Sequence, residues 1–393
     1  MRIGINAAPF ENGNKAGIAS AVENVIIKWS ISCPKENFFL LAKREISLDA
    51  PLPANWHIIY PSEKYGRLLL SSNRMVSKAS SVFYDKVLLP RRIKKLGLDV
   101  YWGTAFFLPG KVRGVKYVSY IYDLALFRFK NIGTFKDRLN HWLQLPAACR
   151  RADKILTISR SSAEDIHELL GVRKDKIAIS YLGGLDGNTE GKHPYTADMK
   201  PELNIMGRFI LFISTIEPRK NVLTLIRAFE KYLDKYHEDD LYLVLAGGRG
   251  WKCDNIYAAA ENSRYKDKII MPGYISSEEK QYLLENASVF AYPSLYEGFG
   301  IPVLEAFDKG LPVITTKVSS LPEVGGSAAF YINDPLDTAA LCRQLRKVLT
   351  LSEGELSRTR EKMKHQLVRF SWEKNAEEIM RLFKRLSRQE RKA

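Results

Sequence analysis

Two cations and two carboxylates stand at positions that could handle a charged leaving group. Arg219 and Lys220 follow the apolar run Phe209–Ser214, and Glu297 and Glu305 stand eight residues apart after a second run ending at Tyr292. Adjacent cations at the carboxyl end of a strand can neutralise a diphosphate and stabilise the charge that grows as it leaves. From Ser294 to Glu305 the chain reads Ser-Leu-Tyr-Glu-Gly-Phe-Gly-Ile-Pro-Val-Leu-Glu. Gly298 and Gly300 free the backbone around Phe299, and Pro302 suits a helix opening, where its missing N–H costs nothing. A helix start behind a glycine loop offers unpaired N–H groups and a positive dipole end, which suits a phosphate. Glu305 is expected on the first helical turn. Carboxylates beside such a site would repel phosphate, so their natural partners are neutral hydroxyls. Diphosphate plus hydroxyls is the chemistry of a nucleotide sugar.

Strand–helix alternation in two blocks would position these residues. In the first block, apolar runs predict strands at Arg2–Asn6, Phe38–Ala42, Trp56–Tyr60, Asp99–Trp102, Tyr117–Ile121, Lys154–Ile158 and Ile177–Tyr181. Helices are expected between them, including Ala19–Ser30 and Ser161–Leu170, with Ser161 and Glu164 as a capping box. In the second block the strands are Phe209–Ser214, Leu241–Ala246, Ile269–Met271, Val289–Tyr292, Val313–Thr315 and Ala329–Ile332, with an amphipathic helix over Val222–Tyr236. Short hydrophobic strands of this kind imply parallel sheets covered on both faces by helices. The fold class expected is α/β, two doubly wound Rossmann-like domains facing a cleft, with ligands at the carboxyl ends of the strands. The expected domains are 1–182, a linker at 183–204, 205–370, and a final helical segment at 371–393.

The 393 residues carry a net charge of +16, which favours polyanions, anionic lipid or phosphorylated substrates. The bias is uneven: Lys64 to Lys116 holds twelve Lys or Arg against two Asp, and Arg381 to Lys392 holds six against one Glu. Lys64–Lys95 mixes these cations with Leu68, Leu69, Leu70, Val76, Val82, Phe83, Leu89 and Ile93. That reads either as a basic amphipathic surface resting on anionic lipid or as a solvated face. Nucleic acid is not expected, since no binding motif supports it. No apolar stretch approaches the roughly 20 residues of a membrane span. The opening residues read as a strand rather than a signal peptide. The four cysteines show no C-x-x-C spacing and the six histidines no H-x-x-x-H spacing, so neither a zinc site nor a disulfide framework is expected. A cytoplasmic protein is the simplest account, and on the lipid reading of the basic surface it would lie peripherally on the inner face of the cell membrane. The absence of G-x-G-x-x-G after the first strand and of a Walker loop argues against a dehydrogenase or ATPase.

The string Ser294–Glu305 resembles the E-x7-E signature of retaining glycosyltransferases of family 4, and Glu217-Pro-Arg219-Lys220-Asn221 resembles a second string of that family. The resemblance runs along most of the chain. It implies the GT-B fold and transfer of a hexose-type sugar from a nucleoside-diphosphate donor to a hydroxyl acceptor, a glycan or lipid-linked glycan of cell-surface polysaccharide synthesis. It implies retention of configuration, no cofactor and no metal. Arg219 and Lys220 would hold the donor diphosphate, Glu305 the ribose hydroxyls and Glu297 the transferred sugar. Backbone from Gly298, Phe299 and Gly300 to Val303 and Leu304 would meet sugar and phosphate. Gly247, Tyr274 and Ile275 would lie near the base, the last two through backbone groups. In the first domain, Lys15-Ala16-Gly17 matches the family's glycine loop with one glycine where two are usual, so Gly17 would approach phosphates or acceptor. Where many relatives carry His-Asp-Leu, this chain has Tyr122-Asp123-Leu124. A phenol of ordinary pKa near 10 cannot take a proton as imidazole does. Either its hydroxyl binds the sugar, or Asp123 or a backbone carbonyl takes part of the task. The alternative reading is a nucleotide-sugar-binding protein that has lost transfer, or a nucleotide-sugar hydrolase or epimerase on the same fold.

Overall fold

The computed structural model describes residues 1–11, 17–48, 51–129, 135–184 and 194–390. Lys15, Ala16 and residues 185–193 of the expected linker lie outside them. The chain divides into two units, one of Met1–Leu182 with Trp372–Ala393 and one of Gly183–Ser371.

The first unit is built on β1 (Arg2–Asn6), β2 (Asn37–Leu41), β3 (Trp56–Ile59), β4 (Val100–Gly103), β5 (Lys116–Tyr120), β6 (Lys154–Thr157) and β7 (Ile177–Ile179). All pair in parallel, in the order β3-β2-β1-β4-β5-β6-β7. Register divides the apolar residues between two faces, as the two-residue period of a strand requires. Ile3, Phe38 and Val100 share one face, and Ile5, Leu40 and Trp102 continue it. That face meets Trp29 of the helix Ile18–Ser32 and Phe383 of the C-terminal helix Trp372–Glu390. Trp29 Nε1 donates to the Ala376 carbonyl at 2.9 Å, so the indole is anchored to the last helix. Asn375 Nδ2 donates to Ser180 Oγ and to the Tyr181 carbonyl, tying that helix to the end of β7. The opposite face carries Phe39, Leu41, Tyr101, Tyr117 and Ile155 and packs on Leu69, Tyr84, Leu89, Ile93, Leu145 and Ile166.

The second unit has β8 (Arg208–Ile213), β9 (Leu241–Ala246), β10 (Ile269–Gly273), β11 (Val289–Tyr292), β12 (Val313–Thr316) and β13 (Phe330–Ile332), parallel in the order β10-β9-β8-β11-β12-β13. Strand order reverses at β8, whose neighbours are β9 on one side and β11 on the other. The carboxyl ends of β8 and β11 are therefore a topological switch point, where loops diverge and leave a crevice for a ligand. The helix Val222–Tyr236 buries Val222, Leu225, Ile226, Phe229 and Leu233 against this sheet, as its apolar period requires.

Three local expectations need correction. The cap of the helix Arg160–Leu170 is Ser159, not Ser161: Ser159 is extended and its Oγ accepts the Ser162 N–H at 2.9 Å. The helix after the glycine loop spans Ile301–Asp308, so Glu305 sits on its second turn. Gly300, at φ 118°, releases the chain into the helix one residue before Pro302. In the Lys64–Lys95 segment, Leu69, Leu89 and Ile93 face the core, while Leu68, Leu70, Val82 and Phe83 are exposed.

Phe383 is fully buried against Trp29 and Trp102. Phe383→Ala should cost the first unit about 3–5 kcal/mol through lost burial and the cavity left behind. Urea unfolding followed by tryptophan fluorescence should show one shifted transition and one unchanged.

Candidate functional site

The loops after β8 and β11 carry the charged residues at the switch point. After β8 the chain makes a short 3-10 turn, Pro218–Lys220, and ends it at Asn221, whose φ of 59° is left-handed. Asparagine tolerates that conformation better than most residues because its short amide can bond locally. Here its Nδ2 donates to the carbonyls of Pro293 (3.0 Å) and Pro335 (2.7 Å), and its Oδ1 accepts from Thr224 Oγ1 at 2.7 Å. The Leu295 N–H donates to the Arg219 carbonyl at 2.8 Å. One buried amide and one backbone bond thus lock the two loops together.

Between them lies a buried ionic cluster. Glu297 Oε1 accepts from Lys220 Nζ and from Ser294 Oγ, both at 2.7 Å, and Oε2 accepts from Arg219 Nη1 at 3.1 Å. Lys220 Nζ also donates to Tyr292 Oη at 2.8 Å, and Arg219 pairs with Glu217 at 2.8 Å and with the Tyr296 carbonyl at 2.9 Å. Lys220 and Glu297 are each 6% exposed. Burial alone would raise the Glu297 pKa, but the charges of Lys220 and then Arg219, with hydrogen bonds from Lys220 and Ser294, hold it down to about 2. Burial likewise opposes the Lys220 charge, and Glu297 outweighs it, so the lysine pKa is raised. Tyr292 is pushed up to about 12, chiefly by burial and then by Glu297, and stays a neutral phenol.

The glycine loop is held from behind. The Glu297 N–H donates to Ser319 Oγ at 2.8 Å, and Ser320 Oγ lies 2.9 and 2.7 Å from the carbonyls of Glu297 and Phe299. No side chain caps the helix Ile301–Asp308. Phe299, Val303 and Leu304 are buried as whole residues, and the Val303 N–H donates to the Gly300 carbonyl at 3.0 Å. Gly247, at φ 146°, passes so near β8 that an added Cβ would lie 1.9 Å from the Ser214 carbonyl oxygen. Glycine is required there. Tyr274 is exposed and Ile275 nearly buried. Lys200 Nζ donates to the Pro272 and Tyr274 carbonyls, so part of the Tyr274 backbone is already engaged within the protein. Glu305 Oε1 accepts from Lys280 Nζ at 2.8 Å.

Gly17, Tyr122 and Asp123 belong to the other unit. Gly17, at φ 62°, precedes the helix Ile18–Ser32. The Tyr122 ring stacks on Tyr120 at 4.4 Å, and its buried hydroxyl has no hydrogen-bond partner among the described residues. Burial, with Tyr120 adding, holds that phenol well above its ordinary range. Asp123 is exposed, and its Oδ1 accepts the Ala125 N–H at 3.0 Å. The sequence reading assigned no role to Ser294, Tyr292, Glu217, Lys200 or Lys280, whose partners lie across the fold. For Asn221, its place directly after Arg219-Lys220 was a usable signal. Glu238 and Asp240 pair with Arg208.

Fold and site together define a glycosyltransferase of the GT-B class. The crystal structure of WaaG, a glycosyltransferase involved in lipopolysaccharide biosynthesis, matches with a TM-score of 0.65 at 16% identity, covering 98% of this chain and 99% of WaaG. Residues 197–367 match the family model described as glycosyl transferases group 1. The O-antigen chain mannosyltransferase B of Escherichia coli is 31% identical over 292 residues, 73% of this chain and 74% of that protein. The O-antigen chain mannosyltransferase RfbU of Salmonella typhimurium is 25% identical over 305 residues, 75% of this chain and 80% of that protein. The chain belongs to the glycosyl transferases group 1 family.

Glu297 has a lower pKa folded than its ordinary 4.5, so its contribution to stability is full above that value and is lost as pH falls towards about 2. Glu297→Gln leaves the buried Lys220 without its counter-charge and takes one of two carboxylate partners from the half-buried Arg219, and should cost about 3–5 kcal/mol at neutral pH. In thermal melts, the gap in midpoint between wild type and Glu297→Gln should narrow as pH falls from about 4.5 to about 2. A gap independent of pH would rule the ion cluster out as the source.

Proposed function

We propose that this glycosyltransferase moves a hexose, mannose being the first candidate, from a nucleoside-diphosphate donor to a hydroxyl of a glycan or lipid-linked glycan in cell-surface polysaccharide synthesis. Transfer retains anomeric configuration and needs no metal. The observation that carries this reading is the buried cluster of Arg219, Lys220 and Glu297 at the switch point. The names of the two O-antigen relatives support the choice of sugar and pathway.

In this mechanism Arg219 and Lys220 take up the charge that grows on the departing diphosphate, in a site dry enough to strengthen every such contact. The uncapped start of the helix Ile301–Asp308 adds the positive end of its dipole. Glu297 is a poor proton acceptor at neutral pH, because its pKa is held down to about 2. It is also tied by three side-chain donors, which disfavours it as a covalent nucleophile. Tyr122 is a poor base for the opposite reason, its buried phenol remaining protonated. The leaving phosphate is then the base that accepts the acceptor's proton as attack occurs on the same face. Glu297 keeps Lys220 and Arg219 in place and meets the transferred sugar, and Glu305 meets the ribose.

The first unit supports peripheral attachment to an anionic membrane. Its helices Glu63–Leu69 and Arg74–Phe83 expose Leu68, Met75, Val76, Val82 and Phe83 amid Lys64, Arg67, Lys78 and Lys86. No helix among the described residues is long and apolar enough to cross a membrane.

Lys220→Ala should lower turnover more than about 100-fold, the scale of one lost transition-state donor. Release of nucleoside diphosphate in the presence of glycan acceptors measures it, with thermal stabilisation by UDP, GDP and their sugars identifying the donor. Stabilisation that survives a chelator fits the metal-free mechanism, and activity lost on chelation and restored by a divalent cation would refute it. Phe83→Glu should weaken co-sedimentation with phosphatidylglycerol vesicles while leaving turnover on a soluble acceptor unchanged. Binding unaltered by this change would remove the helix face from the membrane reading.

A further inference from the structure

Lys280 occupies an unusual place for a cation. It is the fourth residue of the helix Ser277–Asn286, near the end where the helix dipole disfavours positive charge. The two carboxylates beside it are occupied elsewhere. Glu279 closes a capping box with Ser276 and accepts the Lys200 N–H, and Glu278 accepts from Ser276 Oγ. Lys280 instead reaches the helix Ile301–Asp308 and donates to Glu305 Oε1 at 2.8 Å. Glu305 is 9% exposed, and among the described residues no other group donates to its carboxylate. Asp308, one turn further along the same helix, feels the Glu305 charge as repulsion. Lys309 offsets the charge on Asp308, and Lys280 is the cation that pairs with Glu305 itself. One carboxylate oxygen is thus fixed by the protein and the other keeps its lone pairs for a ligand. A carboxylate oriented in this way suits two neighbouring hydroxyl donors.

We propose that Lys280 is a positioning residue for the ribose end of the donor pocket, fixing Glu305 so that the site prefers ribonucleotides over 2′-deoxyribonucleotides. This rests on the reading that Glu305 meets the ribose. The pair stands at the foot of the helix that follows Tyr274 and Ile275, so ribose recognition and base recognition share one support. Lys200 steadies that support from its other side through the Pro272 and Tyr274 carbonyls. An unpaired Glu305, next to Asp308, would lose its fixed orientation and much of its strength as an acceptor.

The test is calorimetric titration of wild type, Lys280→Met, Lys280→Arg and Glu305→Gln with UDP and GDP and with their 2′-deoxy counterparts. Wild type should bind one ribonucleotide at least about 10-fold tighter than its deoxy form, the scale of one hydrogen bond to a charged group. Lys280→Met should lose most of that ratio by weakening the ribonucleotide alone, and Lys280→Arg should recover it. An equal loss for both nucleotides, or an unchanged ratio, would overturn the proposal by reducing Lys280 to a structural or idle residue. The Glu305→Gln protein separates the two levels of inference. If it loses the ratio while Lys280→Met keeps it, Glu305 reads the ribose and Lys280 does not position it. If Glu305→Gln also keeps the ratio, or no nucleotide binds, the ribose reading falls and this proposal with it.

Discussion

A carboxylate and a lysine taken out of water together, with a half-buried arginine beside them, are the constraint on which the second unit depends. Removing ions from water costs several kcal/mol each, and their attraction repays it only when geometry and further hydrogen bonds are complete. Around Glu297 they are complete: Ser294 and Lys220 share one oxygen, Arg219 takes the other, and Tyr292 and Glu217 engage the cations. The surrounding loops are arranged to hold this cluster. Asn221 bridges to Pro293 and Pro335, and Ser319 and Ser320 brace the glycine loop from behind. On the proposed mechanism, a site so arranged would meet a diphosphate without having to reorganise, which is where electrostatic catalysis gains its strength.

The cluster also sets roles by pKa. A glutamate held near 2 stays ionised throughout the neutral range and is a poor proton acceptor there. Tyr122, in the other unit, is fixed in the opposite state by burial. The Tyr122 hydroxyl has no partner among the described residues, and a buried polar group left so forfeits its hydration. Its stacking on Tyr120 accounts for the ring but not for the oxygen.

Much of the frame was legible because parallel strands buried on both faces must be continuous apolar runs. Arg2–Asn6, Leu241–Ala246 and Val289–Tyr292 coincide with their runs to the residue, and other strands differ by a residue or two at their ends. The amphipathic stripe of Val222–Tyr236 was equally direct. Ends were less legible because they depend on single dihedral angles. Ser159 caps in place of Ser161 because it is the extended residue, and Gly300 starts its helix before the proline because of its positive φ. The basic segment around Lys64–Lys95 was ambiguous, since a helix shows the same composition whichever side faces inward. Packing sent Leu69, Leu89 and Ile93 to the core and left Phe83 outside.

The sequence by itself determined the alternation of strands and helices, the placing of Arg219, Lys220 and Glu297 at strand ends, and the glycines that the loops require. Those follow from local rules of periodicity, sterics and helix ends, which act over a few residues. Tertiary structure alone decided that Glu297 meets Lys220 across 77 positions, that Asn221 bridges to Pro335, and that Lys280 meets Glu305 rather than its acidic neighbours. The reason is that ion pairs and buried amides take partners by distance in space. Strand order brings those partners together, and no spacing along the chain records it.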